Sequence, residues 1–403
     1  MKFQSVTKAS VKGRRVVVRV DMNVPFDKRG RVLDDFRIRQ CLPTIQWILA
    51  HGGTVAVCTH RGSPKRYDTR LSAAPIAKRL SQLLQRNVHF VRNPLKENPR
   101  RRMETVLFLE NLRFFPGEQK NSPSFAKALA RWGELYVNDA FAESHRNVAS
   151  IVHLPKLLPS YAGLLFVQET FKLKKIFVRP RRPFLVIIGG AKISTKIRYI
   201  RSFLSYADGV VLGGALFNTL LAARGGIVGR SAIEKGAFGM AKRLLASRKL
   251  ILPQDVRVLH RIDGATLDPK RSGDPASRGL AHPLVHSVDD VGANDYICDI
   301  GPDSVVKILR HIRKARTILW NGPLGHVELP KCRMGTIAVA RALAVSRARV
   351  VVGGGDLEAL WRETRIPTKN VYMSTGGGAL LDFVMDGNLV GIEALERGKR
   401  NHV

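Results

Sequence analysis

The sequence is poor in the features on which secreted and membrane proteins rely. Only 4 cysteines occur in 403 residues, at positions 41, 58, 298 and 332, and no two form a C-x-x-C pair. That count excludes a disulfide scaffold and the spacing leaves no zinc site, so a reducing cytoplasm is the expected compartment. No apolar run approaches the roughly 18 residues that span a bilayer. The opening MKFQSVTKASVKGRRVVV has no apolar core before a small-residue cleavage site, so no secretory signal is expected. Acidic residues are also scarce: 32 stand against 67 lysines and arginines, a formal net charge of +35. Residues 1–200 carry 38 of the cations and only 13 of the acids. Such a balance points to anionic ligands or to a generally basic proteome, and says nothing about fold. Three chemical signatures are missing as well. There is no G-x-x-x-x-G-K-[ST], no G-x-S-x-G, and STGGGALLDF (374–383) lacks dinucleotide-fingerprint spacing.

What is present is an ordinary globular composition, 45% hydrophobic, over roughly twice the length of a typical domain. The first half alternates β-branched runs, RRVVVRV (14–20), GTVAVCT (53–59), TVLFL (105–109) and LYV (135–137), with amphipathic stretches such as SAAPIAKRLSQLLQ (72–85). That rhythm predicts parallel strands joined by crossover helices. The second half repeats it, with runs that end in glycine: PFLVIIGG (183–190), GVVLGG (209–214), TILWNG (317–322), RVVVGGG (349–355) and NVYMSTGGG (370–378). Ligands of open α/β sheets bind beyond the strands' carboxyl ends, where glycine lets backbone N–H groups approach phosphate oxygens. A proline-flanked stretch at 155–183 is a candidate boundary, read either as an ordinary surface connection or as a stiff helix joining two domains.

Polar residues follow the first-half strands: Asp21 and Asn23, His60 and Arg61, Arg113, Asn138 and Asp139, then Ser144, His145 and Arg146, with Arg37 after a turn. In so basic a chain a single arginine reads first as a solvated side chain. Four arginines and a histidine behind strand ends read as a site for a small, multiply anionic ligand, because guanidinium groups pair with carboxylate or phosphate in two-point contacts. In the second half GGAKISTK (189–196) places Lys192 and Lys196 four residues apart at a helix start, on one face and beside a positive helix end. That suits a transferring phosphoryl group. Asp356 closes GGGD as a Mg²⁺ ligand or, equally, a helix cap. Glu328 is a candidate for ribose hydroxyls.

These segments resemble the phosphoglycerate kinase family from RVDMNVP (19–25) to VGIEAL (390–395), and they come in the family's order: DDFRI, HRGSP, LENLRFFPGE, VNDAFAESHR, GGAKISTKI, GGALFNTL, LPQDV, DIGP, LWNGPLG, GGGD and STGGGALLDF. The resemblance implies an α/β fold of two doubly wound parallel-sheet (Rossmann-like) domains separated by a cleft. Residues 1–170 would bind phosphoglycerate, 171–182 would form a hinge helix, 183–385 would bind nucleotide, and a tail at about 386–403 would pack back on the first domain. By motif, Asp21, Asn23, Arg37, His60, Arg61, Gly62, Ser63, Arg113 and Arg146 would hold 3-phosphoglycerate or 1,3-bisphosphoglycerate. Arg37 and Lys192 would be catalytic, with Lys192 on the transferring group. Gly190, Lys196, Gly213, Asn321, Glu328, Gly353, Gly354, Gly355, Asp356 and Leu357 would hold ATP or ADP, with Asp356 on Mg²⁺.

The chain departs from the family's pattern in three places. Ser63 stands where an arginine is usual, Leu357 where a hydroxyl follows GGGD, and Val327 where a phenylalanine precedes the glutamate. The implied activity is phosphoryl transfer between 1,3-bisphosphoglycerate and ADP in glycolysis, by a cytoplasmic monomer with no membrane partner and with nucleic-acid binding that is weak and non-specific at most. A reading of another class is a kinase-derived scaffold held to nucleic acid by its charge. Ser63 and Leu357 favour it, and the retained motif residues oppose it.

Overall fold

A computed structural model describes residues 2–27, 29–260 and 282–398. Contacts divide the chain into two units, one of residues up to Lys175 together with those from Asp382, the other of Ile176–Leu381. Helix Leu164–Phe177 carries the chain across that boundary.

In the first unit β1 (Arg15–Val20), β2 (Thr54–Cys58), β3 (His89–Val91), β4 (Val106–Leu109), β5 (Leu135–Asp139) and β6 (Ser160–Ala162) form one parallel sheet in the order β3-β4-β2-β1-β5-β6. The valine-rich runs form its centre because β-branched side chains fit a pleated surface that helices cover. Val16, Val18, Val55, Val57, Val106 and Val137 are fully buried against helix residues such as Ile38, Ile45, Ile76 and Leu80. Register decides where the site lies. Arg19 of β1 pairs with Cys58 of β2 and with Asn138 of β5, so the segments leaving these three strands emerge at one level. Helix Val390–Arg397 belongs to this unit. It packs on helices Ala149–Val152 and Leu154–Leu157, and the Gly391 N–H donates to the Ser144 carbonyl at 2.8 Å. Residues 399–403 of the expected tail lie outside the described residues.

In the second unit β7 (Phe184–Ile188), β8 (Gly209–Leu212) and β9 (Leu250–Ile251) are followed by a small antiparallel sheet of β10 (Asp255–His260), β11 (Leu284–Ser287) and β12 (Asp295–Ile300), in the order β11-β10-β12. The chain then returns through β13 (Thr317–Asn321), β14 (Arg349–Gly353) and β15 (Val371–Ser374), which complete a second six-stranded parallel sheet, β15-β14-β13-β7-β8-β9. Asn321 pairs with Ile188 on one side and Gly353 on the other, so the glycine turns after β7, β13 and β14 share one edge. The parallel sheets are those implied by the strand rhythm, and their number and doubly wound form are those implied by the family resemblance. The antiparallel sheet was not legible in that rhythm, because β11 is largely exposed and carries no apolar run.

Candidate active site

At the carboxyl ends of β1, β2 and β5 the expected polar residues meet. Arg37, second residue of helix Phe36–Ala50, donates from Nη1 to Asp21 Oδ2 at 2.6 Å. Burial would raise the Asp21 carboxyl, but Arg37, His60 and the Asn23 N–H outweigh it and hold the group below its ordinary value. Asn23 accepts the Gly62 N–H on Oδ1 at 3.0 Å, which fixes the turn after β2. Arg113 donates from Nη1 to the Gly62 carbonyl at 2.6 Å and to Ser63 Oγ at 3.3 Å. The Arg61 guanidinium lies 3.4 Å from the centre of the Phe26 ring, a cation–π contact, and donates to the Ser72 carbonyl at 2.6 Å. Arg61 is thus spent on structure. His60 is buried, and burial lowers its pKa to about 4, so the ring is neutral near pH 7. Its Nδ1 has no hydrogen-bond partner among the described residues.

Several residues that organise this site were not singled out in the sequence. Asn111 is the hub of the turn. Its side chain accepts the Arg61 and Arg113 N–H groups at 3.0 and 3.1 Å and donates to the carbonyls of Arg61 and Leu71 at 2.8 and 2.9 Å. Glu110 accepts from the Ala73 and Asn111 N–H groups, each at 2.7 Å. Glu143 lies among the cations, with one oxygen 2.9 Å from Arg113 Nη2 and the other 3.2 Å from Arg146 Nε. Burial would raise the Glu143 carboxyl, and His60, Arg19 and Arg113 more than offset that. A lone acid in so basic a chain carries no sequence signal. The half-exposed Arg146 is drawn into the site by this carboxylate.

In the second unit the glycine turns close on a lysine. Lys196 donates from Nζ to the Gly189 carbonyl at 2.5 Å and to Asn321 Oδ1 at 3.1 Å, while Asn321 Nδ2 donates to the carbonyls of Gly353 and Gly377, each at 3.1 Å. Burial lowers the Lys196 pKa to about 8, against the attraction of Asp356. Gly190 and Gly354 adopt φ +129° and +115°, backbone that a side chain strains to reach. Gly213 and Gly353 are packing positions, since a Cβ there would meet Leu324 at 2.5 Å and Leu380 at 2.4 Å. Gly355 starts helix Gly355–Glu363 and is exposed.

The expected pairing of Lys192 with Lys196 needs correction. Lys192 is the N-cap of helix Ile193–Tyr206, with extended backbone at φ −128° and ψ 124°, so the helical i,i+4 relation does not apply to it. Its side chain is exposed, whereas that of Lys196 turns in on Asn321. Leu357 is fully buried in the core, so its side chain is closed to a ligand.

Gly190, Gly214, Phe217, Val256, Leu324, Glu328 and Asp356 are among the residues lining a cavity of about 400 Å³ in this unit. Its wall is mostly apolar, which suits a planar base, and carboxylates stand at its edge. Glu328 is half exposed and lies 3.5 Å from His326 Nε2. Gly354, not Asp356, occupies the cap position of helix Gly355–Glu363. The surrounding protein and Glu328 raise the Asp356 carboxyl and Lys196 lowers it; the residue is exposed, so water limits the shift. Among the described residues no group of three or more His, Cys, Asp or Glu is arranged to hold a metal. One exposed carboxylate beside a glycine turn nonetheless fits Mg²⁺, which takes one or two carboxylates and completes its shell with phosphate oxygens and water.

A cationic pocket at one sheet edge and a glycine-lined cavity with a lysine at another define a two-unit α/β phosphotransferase. The family model for phosphoglycerate kinase matches residues 6–387. The phosphoglycerate kinase of Rubrobacter xylanophilus is 41% identical over 98% of each chain, and that of Coprothermobacter proteolyticus is 38% identical over 98% of this chain and 99% of its own. The crystal structure of phosphoglycerate kinase from Pyrococcus horikoshii OT3 superposes with a TM-score of 0.83 at 27% identity, covering 98% of each chain. The chain belongs to the phosphoglycerate kinase family.

Proposed function

We propose that the chain catalyses reversible phosphoryl transfer between 1,3-bisphosphoglycerate and ADP, giving 3-phosphoglycerate and ATP. The observation that carries this reading is the meeting of Asp21, Asn23, Arg37, His60 and Arg113 at one sheet edge. Asp21 orients Arg37 toward the acid's carboxyl end, and Arg113 and Arg146 take its phosphate. In the other unit Lys196 and the turns at Gly190, Gly213 and Gly353–Gly355 take the nucleotide phosphates, and Glu328 takes the ribose. Lys192, free of packing at its helix start, neutralises the transferring group. Asp356 would hold Mg²⁺, which offsets phosphate charge when bound. Transfer between two anions needs positioning and charge neutralisation more than covalent chemistry, and needs both ligands in contact away from water.

Arg37, Arg113 and Arg146, retained at the edge that holds the neutral His60, support an enzyme over a scaffold. The absence of an aromatic-interleaved basic stripe supports nucleic-acid binding that is weak and non-specific. The four unpaired cysteines support a cytoplasmic compartment, and among the described residues no helix is long and apolar enough to cross a membrane. Incubation with 3-phosphoglycerate, Mg-ATP and hydroxylamine, which traps acyl phosphates as hydroxamate, tests the reading. Hydroxamate should accumulate in proportion to protein, and none from folded protein at several ionic strengths would overturn the proposal.

A further inference from the structure

The carboxylate of Glu143 occupies the ground an incoming anion needs. Its two oxygens are divided between Arg113 Nη2 at 2.9 Å and Arg146 Nε at 3.2 Å, with His60 Nε2 at 3.6 Å and Arg19 Nη2 at 3.9 Å. The short turn Phe141–Glu143 after β5 places it there, and its side chain is 7% exposed. Arg113 has little else to offer a ligand from these two nitrogens, because Nη1 is engaged by the Gly62 carbonyl at 2.6 Å. Position 63 adds a hydroxyl to this edge where a cation would have added charge.

Arg19 does not depend on Glu143 alone, although its Nη2 lies 3.9 Å from that carboxylate. That guanidinium has Glu118 at 4.0 Å and Ser150 Oγ at 2.9 Å, and Glu118 is itself held by Ser150 through Oγ at 2.6 Å and N–H at 3.0 Å. The carboxylate's closest contacts are the two arginines at the site.

We propose that Glu143 is a resident counter-anion of the substrate site, bound to Arg113 and Arg146 in the empty protein and displaced when a phosphate takes those arginines. The inference rests on the reading that Arg113 and Arg146 receive the substrate's phosphate. A carboxylate and a phosphate both use the in-plane donors of a guanidinium, so they compete for the same fork. The carboxylate also repels the incoming dianion at close range, and in a partly buried site that repulsion is weakly screened. The device lets the site keep its arginines ordered without ligand while lowering its affinity for anions. It predicts the opposite sign from a purely positioning role, in which removing Glu143 would disorder the arginines and weaken binding.

The test is titration calorimetry of the full chain at fixed ionic strength, with Glu143→Gln compared to parent. The variant keeps the shape and removes the charge. Its Kd for 3-phosphoglycerate should fall about tenfold, equivalent to about 1.4 kcal/mol. Its Kd for glycerate, which lacks the phosphate, should move much less. In steady state the KM for 3-phosphoglycerate should fall and the KM for Mg-ATP should hold. An unchanged or weaker Kd in Glu143→Gln overturns the proposal, as does equal tightening of glycerate. Inorganic phosphate separates the two readings. Tighter phosphate binding by the variant, with no 3-phosphoglycerate binding by either protein, upholds the counter-anion and sinks the substrate assignment. If Glu143→Gln fails to fold, Glu143→Asp withdraws the carboxylate by one methylene and should tighten inorganic phosphate in the same direction. No tightening there refutes the idea equally.

Discussion

Proton uptake should accompany nucleotide binding, and Lys196 sets its size. Burial lowers this ammonium from 10.5 to about 8 against the attraction of Asp356, and Nζ donates to the Gly189 carbonyl and to Asn321 Oδ1. A phosphate brought against it favours the charged form and returns its pKa toward the ordinary value. The sign follows. Well below pH 8 the lysine is charged in both states and affinity is flat. Between about 8 and 10.5 only the complex holds the proton, so affinity falls as pH rises. If the complex regains the full ordinary value, Kd for ADP should rise about twofold from pH 7 to 8 and about tenfold by pH 9, where about 0.9 proton is taken up. The assay is calorimetry of ADP binding at fixed Mg²⁺ from pH 7 to 9.5, in two buffers of different ionisation enthalpy. Lys196→Arg should bind with a flat profile and no uptake, because guanidinium does not titrate there. A flat Kd in the parent to pH 9, with buffer-independent enthalpy, would show that Lys196 does not meet the phosphates.

Three further outcomes follow from the same geometry. Lys192→Ala should lower kcat by about 10² to 10³, the usual size for a preorganised charge aimed at the transition state, with little change in nucleotide Kd; comparable losses in both would assign the lysine to binding. Asp356→Ala should abolish the Mg²⁺ dependence of ADP affinity in calorimetry, and an unchanged Mg²⁺ effect would make the carboxylate structural. Leu357→Ala should cost about 2–5 kcal/mol in denaturant unfolding, because the side chain is fully buried in the core; a loss under about 0.5 kcal/mol would contradict that placement.

What the sequence revealed, and what it hid, follows from the range of each signal. The strands of both sheet centres were legible because the valine-rich runs are buried on both faces. The edge strands β3, β6 and β9, of two or three residues, leave no period to read. Asp21, Arg37, His60 and Arg113 were legible as residues following strand ends, because register brings those ends together. Asn111 and Glu143 were not, since their work is done by contacts across the fold: Asn111 reaches Arg61, 50 positions away, and Glu143 reaches Arg113, 30 positions away. The lysine spacing misled because a cap residue at position 192 does not share the helix geometry that starts one residue later. The glycine runs hid two roles. Gly190 and Gly354 serve backbone conformation, whereas Gly213 and Gly353 make room for Leu324 and Leu380.

The stereochemical course of turnover tests the central claim, that two sets of positioned charges pass a phosphoryl group directly from one anion to the other. ATP made chiral at its γ-phosphorus, turned over with 3-phosphoglycerate, should give an acyl phosphate of inverted configuration, as a single in-line displacement requires. Retention would mean that a protein side chain carries the group in between, and no transfer at all would mean that the two sites do not form one enzyme.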